Sequence, residues 1–108
     1  MAQDARHAGP AARSVFVAEV VWTDRALAHV EAIVTYIVNQ HSPLAAQRLG
    51  QRLLTAGDTL ETSPDRGRPI ARGRRELTVI APYLIRYRLK GDRVIILEVR
   101  HGMRRPNF

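Results

Sequence analysis

The stretch YLIRYRLKGDRVIILEVRH, residues 83–101, constrains the fold more than any other part of the chain. Side chains alternate between the two faces of a strand. In the first half, Tyr83, Ile85, Tyr87 and Leu89 share one face, and Leu84, Arg86, Arg88 and Lys90 share the other. In the second half, Ile95, Leu97, Val99 and His101 fall together. Gly91-Asp92 between them is turn chemistry. A two-residue loop there would set Arg86 opposite Leu97 and Arg88 opposite Ile95, joining cations to apolar residues on one face. An odd loop of three or five residues reverses the parity and sets Arg86 against Glu98 instead. The expectation is therefore an odd loop, with Ile95, Leu97, Val99 and His101 turned to the core. Leu84, Val94 and Ile96 then stand on the outer face among Arg86, Arg88, Lys90 and Arg100. Apolar residues ringed by arginine suggest a surface that a partner covers.

The hairpin needs further layers to bury its apolar face. Residues 15–22, VFVAEVVW, read as another strand. Thr23 can cap a helix over 24–40, whose Leu27, Val30, Val34 and Ile37 repeat at helical spacing. Ser42-Pro43 starts a second helix over 43–61, with Ala46, Leu49, Leu53, Ala56 and Leu60 on one face. Gly50 and Gly57 lie seven apart beside Leu53, where a missing side chain lets another helix come close. Residues 62–69, TSPDRGRP, read as a loop, and RELTVI at 75–80 as a strand. Residues 1–13 carry no apolar periodicity and are expected to be disordered, leaving 14–106 as one domain. The fold class is α+β: an antiparallel two-helix hairpin packed on a mixed, largely antiparallel sheet, in the order β-α-α-β-β-β.

Composition narrows the function. There is no cysteine among the 108 residues, which excludes disulfides and thiolate metal sites. His7, His29 and His41 are scattered, so neither a metal nor a cofactor is expected. No apolar run reaches the length of a membrane span, and the N-terminus has no secretion signal, so the cytoplasm is the expected location. The formal charge is +7. Between residues 66 and 105, 11 arginines and Lys90 stand against Glu76, Asp92 and Glu98. The C-terminal part is a cationic surface that suits nucleic acid or an acidic protein segment.

Several short patterns occur in order: W-T-x-x-A at 22–26, P-x-A-A at 43–46, G-R-P at 67–69, R-E-L-x-V at 75–79, Y-x-I-x-Y-R at 83–88, and V-x-I-L-x-V-x-H-G-x-R at 94–104. Together they resemble the RelE/ParE superfamily of type II toxin–antitoxin toxins. The pairing of R-E-L-x-V with H-G-x-R is similar to the ParE-like branch. The resemblance implies a plasmid-stabilisation type of module, with an acidic, ParD-like antitoxin built on a ribbon-helix-helix that wraps the toxin in a hetero-oligomer.

The superfamily implies one of two actions. ParE-like members inhibit DNA gyrase by a protein–protein contact. RelE-like members cleave mRNA on the ribosome without metal, which needs a base, an acid and cations. For the enzyme, His101, Arg104 and Arg75 are the catalytic candidates. The chain departs from the RelE pattern, with Leu84 and Leu77 where those enzymes carry basic residues and no tyrosine after Arg105. The reading therefore favours recognition over catalysis. Arg100, His101, Arg104 and Arg105 are expected to meet the target. Leu84, Arg86, Arg88, Val94 and Ile96 are expected to meet the antitoxin.

Overall fold

A computed structural model of the chain describes residues 17–102. The expected disordered segment 1–13 lies outside the described residues, as do Arg104 and Arg105. The elements are β1 (Glu19–Trp22), α1 (Asp24–Gln40), α2 (Pro43–Asp58), a 3-10 turn (Thr59–Glu61), β2 (Arg68–Ile70), β3 (Arg74–Ile80), β4 (Tyr83–Lys90) and β5 (Arg93–His101). The five strands form one sheet in the order β1-β5-β4-β3-β2. β1 runs parallel to β5, and the other neighbours are antiparallel. The two helices cover one face. This is the α+β arrangement that the sequence implies, with one addition. The expected loop 62–69 ends in a three-residue edge strand, β2, that pairs Arg68 with Glu76.

Both helix starts follow their capping chemistry. Thr23 Oγ1 accepts the Ala26 N–H at 3.1 Å and donates to the Ile96 carbonyl at 2.7 Å. One residue thus caps α1 and ties it to β5. Ser42 Oγ accepts the Ala45 N–H at 3.0 Å, and Pro43 occupies the first turn. The helical glycines are close-approach positions. A Cβ at Gly50 would lie 2.9 Å from the Val34 side chain of α1. At Gly57 the neighbours are the Trp22 indole and Ile96, so this glycine admits the sheet and not a second helix.

The β4–β5 hairpin corrects the sequence reading. Its loop is two residues long, with Lys90 paired to Arg93 and Gly91 at φ 63. A glycine with positive φ at the first turn position suits a two-residue hairpin. The parity change comes later. Tyr87 pairs with Ile96, but Arg86 pairs with Glu98, so Leu97 is an extra residue on β5. Such a bulge bends the strand and re-aims its side chains. Val94 and Ile96, expected on the outer face, point to the core and are 0% exposed. They are therefore excluded from an antitoxin-binding surface of the folded toxin. Ile95 and Leu97, expected in the core, are only half-buried. Beyond the bulge, Val99 and His101 lie on the helix side and Arg86 meets Glu98, as read from the sequence.

The core is one cluster. Ala26 and Val30 of α1, Leu53 and Ala56 of α2, and Leu60 meet Leu77, Ile85, Tyr87, Val94, Ile96 and Val99 of the sheet. Tyr87 is fully buried with its hydroxyl satisfied twice. It accepts the Gly67 N–H at 2.8 Å and donates to the Pro64 carbonyl at 2.7 Å. Burial pushes its pKa up. This one phenol pins the loop between the 3-10 turn and β2 against the sheet.

Candidate functional site

The helix-free face of the sheet carries the charge. Its alternate positions are Arg74 and Glu76 on β3, Arg86 and Arg88 on β4, and Glu98 and Arg100 on β5. Glu76, Arg86 and Glu98 form a row across the three strands. Arg86 Nε meets Glu76 at 3.0 Å, and its NH1 group lies 3.7 Å from Glu98. Arg68 also meets Glu76, at 2.6 Å. Around Glu98 stand Arg100 at 3.5 Å, Arg74 at 3.7 Å and Arg25 at 3.8 Å. Glu76 is 7% exposed and Glu98 9% exposed. A carboxylate that deep is costly unless cations surround it. Here two carboxylates are held under five arginines, so the face keeps a cationic surplus.

One side of this row opens into a pocket of about 330 Å³, lined by Thr23, Arg25, Arg72, Arg74, Arg88, Leu97 and Glu98. The turn between β2 and β3 builds its rim. Arg72 and Gly73 both adopt positive φ, 65° and 70°, an unusual conformation for an arginine. The turn's carbonyls are held in return. Arg88 donates to the Arg72 carbonyl at 3.0 Å, and Arg74 Nε donates to the Ala71 carbonyl at 3.1 Å. Arg74 and Arg88 sit directly opposite each other, a pairing of like charges that is unfavourable by itself. The two carbonyls and Glu98 offset it.

The sequence-derived site residues divide between the two faces. Arg86, Arg88 and Arg100 lie on the outer face, as expected, and Leu84 joins them half-buried. His101 lies on the opposite, helix-facing side. Its ring meets Tyr83 edge-on, with centroids 5.3 Å apart and planes at 79°. Ala32, Ile33 and Tyr36 complete a shallow pocket around this pair. Arg75 is spent on structure, donating to the Asp65 carbonyl at 3.1 Å and the Gly67 carbonyl at 2.6 Å. It pairs with Tyr87, whereas His101 pairs with Tyr83. Four residues along a strand separate the two by about 13 Å. His101 and Arg75 are thus not brought together. Among the described residues no three His, Asp or Glu side chains come together in a group that could hold a metal ion.

Three pocket arginines and one histidine escaped the sequence reading. Arg25 sits in the first turn of α1, and its reach to Glu98 depends on the helix crossing β5. Arg72 lies within, and Arg74 directly follows, a turn that the sequence did not resolve. The strand alternation of Arg74 with Glu76 was a usable signal for Arg74. His29 was read as scattered, yet its Nδ1 accepts the Val99 N–H at 3.2 Å. Burial and the nearby Arg25 lower its pKa.

A family model described as "ParE toxin of type II toxin-antitoxin system, parDE" matches residues 20–106. The chain belongs to the ParE toxin family. This ParE-family chain is 51% identical over 88 residues to Toxin RelE2 of Caulobacter vibrioides, covering 82% of this chain and 99% of that one. It is 35% identical over 82 residues to Toxin RelE1 of the same organism, covering 73% and 87%. A putative toxin, Y4kP, of Sinorhizobium fredii is 43% identical over 83 residues, covering 75% and 84%. The chromosomal ParDE toxin–antitoxin system from P. aeruginosa superposes with a TM-score of 0.74 at 27% identity, covering 79% of this ParE-family chain and 96% of that one. The match to ParE toxins therefore extends from β1 to the end of the hairpin that carries the outer face.

Proposed function

We propose that this type II toxin acts in the cytoplasm by gripping a protein, DNA gyrase, and that an acidic ParD-like antitoxin neutralises it. One observation carries this reading. The imidazole nearest the C-terminus, His101, lies on the helix side of the sheet, while the arginine pocket lies on the other face. Metal-free RNA cleavage needs an acid–base group and cations converging on one phosphate. Arg75, another of the three candidates for that chemistry, is engaged with two loop carbonyls, and Arg104 lies outside the described residues. A cationic surface held rigid by ion pairs suits recognition of an acidic protein surface instead.

The second reading is a ribosome-dependent mRNA endonuclease. It is favoured by the pocket itself, where Glu98 stands among arginines that could face a phosphate. Glu98 is surrounded by four guanidiniums within 4 Å, which hold it in place as their shared counter-ion. The two readings separate in one experiment. The toxin is expressed without antitoxin, and purified gyrase supercoiling and ribosomal mRNA integrity are followed in parallel. Loss of supercoiling with intact mRNA is the expected result. Codon-register mRNA cuts with normal supercoiling would overturn it.

A further inference from the structure

We propose that the outer-face pocket between α1 and the Ala71–Gly73 turn is the receptacle for an aspartate or glutamate side chain of the antitoxin. The inference rests on the toxin–antitoxin reading and names the spot where the acidic partner is gripped. Three observations carry it.

The first is charge. Arg25, Arg72, Arg74 and Arg88 line the pocket with Glu98 as the one carboxylate among its described lining residues. The guanidiniums come from a helix, a turn and two strands, so their convergence is a product of the fold. Cations gathered at a partly enclosed site raise the local potential for an anion.

The second is preorganisation. Arg88 and Arg74 are each fixed by a carbonyl of the turn. Arg74 and Arg25 are also held 3.7 and 3.8 Å from Glu98. Ordering these long side chains before binding removes part of the entropy cost of association. Arginine forks so placed match the two oxygens of a carboxylate, and the outer face already shows this preference, because each of its ion pairs is arginine to glutamate.

The third is the surroundings, which decide between a protein acid and a nucleic-acid phosphate. Leu97, the bulged residue, lies in the pocket wall, and Ile95 is half-buried on the same strand. Among the described residues no aromatic ring lines the pocket, and single-stranded nucleic acid is gripped largely by stacking its bases on aromatic side chains. A leucine in the wall beside arginines fits a peptide that alternates acidic and aliphatic side chains.

The test uses the full chain and the double variant Arg25→Ala/Arg72→Ala. The Arg25 side chain is largely exposed. Arg72 contributes to the turn through its carbonyl, which truncation leaves in place. An unchanged thermal midpoint confirms that the fold survives. Binding is titrated with the cognate antitoxin and, separately, with a labelled single-stranded RNA oligonucleotide. The expected result is antitoxin affinity lower by about tenfold or more at low salt, with the gap narrowing as salt rises. Equal antitoxin affinity in variant and parent would overturn the pocket and leave the toxin–antitoxin reading standing. Failure of the parent chain to bind that antitoxin would overturn both. Antitoxin affinity kept while RNA binding is lost would overturn the carboxylate assignment in favour of a phosphate.

Discussion

His29 Nδ1 accepts the backbone N–H of Val99 at 3.2 Å, where β5 has lost its strand neighbour. β1 pairs with β5 only as far as Trp22 and Ile96, and then becomes α1. The next edge groups of β5 need another partner, since an unpaired buried N–H is costly. His29, from the second turn of α1, supplies the acceptor. Only the neutral imidazole can accept there.

The protonated form of His29 is therefore penalised in the fold, and its pKa is lowered from 6.5 by burial and by Arg25. As pH falls below that value, the unfolded chain takes up a proton that the folded chain resists. Stability then declines with acidification until the lowered folded pKa is reached, and it is level in this term above the ordinary value. Urea midpoints between about pH 7.5 and about pH 5 should show this slope. His29→Gln keeps an acceptor oxygen and cannot be protonated, so its slope over that window should be shallower. The same slope in both proteins would remove His29 as the sensor.

Glu98 should be far more important to stability than its count of distant ion pairs suggests. Glu98→Gln leaves Arg25, Arg74, Arg86 and Arg100 facing one another around a buried neutral amide. Breaking a buried pair in this way costs about 3–5 kcal/mol. Glu19 is the internal comparison. Its pair with Arg93 at 3.4 Å is well exposed, so Glu19→Gln should change stability by less than about 1 kcal/mol. Denaturant midpoints of the two variants provide the check, and similar losses would mean that the outer row is not held by its carboxylates.

The fold was legible in the sequence because its signals are local. Thr23, Ser42 and Pro43 mark helix starts through capping chemistry that needs no tertiary partner. Tyr83 to Lys90 alternates without interruption, so its faces could be assigned directly. β5 could not be read this way. A bulge at Leu97 is one extra residue whose position depends on pairing, and parity shows only that a shift must exist somewhere. Placing it in the loop turned Val94 and Ile96 outward and Ile95 and Leu97 inward. The pocket was hidden for a similar reason. Arg25, Arg72 and Arg74 are ordinary surface arginines until the helix crossing and the left-handed turn at Arg72 gather them.

That correction changes which substitution probes the outer face. Ile96 is completely buried against Tyr87 and the Trp22 region of the core. Ile96→Asp should prevent folding, because an unpaired carboxylate there has no counter-ion. Ile95→Asp places the same charge on the outer face, beside Arg88. It should leave a cooperative thermal transition in place and weaken antitoxin binding if an aliphatic contact is made there. Circular dichroism melts of the two variants distinguish the faces. A folded Ile96→Asp protein with a normal midpoint would show that the bulge is misplaced.

His101 gives the sharpest test of mechanism. Its ring stacks edge-on against Tyr83, on the helix side and away from the arginine pocket. An edge-to-face aromatic contact of this kind contributes about 0.5–1.5 kcal/mol, so His101→Gln should lower stability slightly. A general acid–base role would make the same substitution lower the rate by about a hundredfold or more. Gyrase inhibition through a protein surface predicts that growth arrest and loss of supercoiling persist in His101→Gln at close to the parent level. Conversely, Arg100→Glu lies next to Glu98 on the outer face and should disturb the ion-pair row and weaken association in a salt-dependent manner. Toxicity is measured by growth after induction without antitoxin, at matched soluble protein. Abolished toxicity in His101→Gln, together with mRNA cuts that the parent makes and the variant does not, would transfer the function from recognition to catalysis.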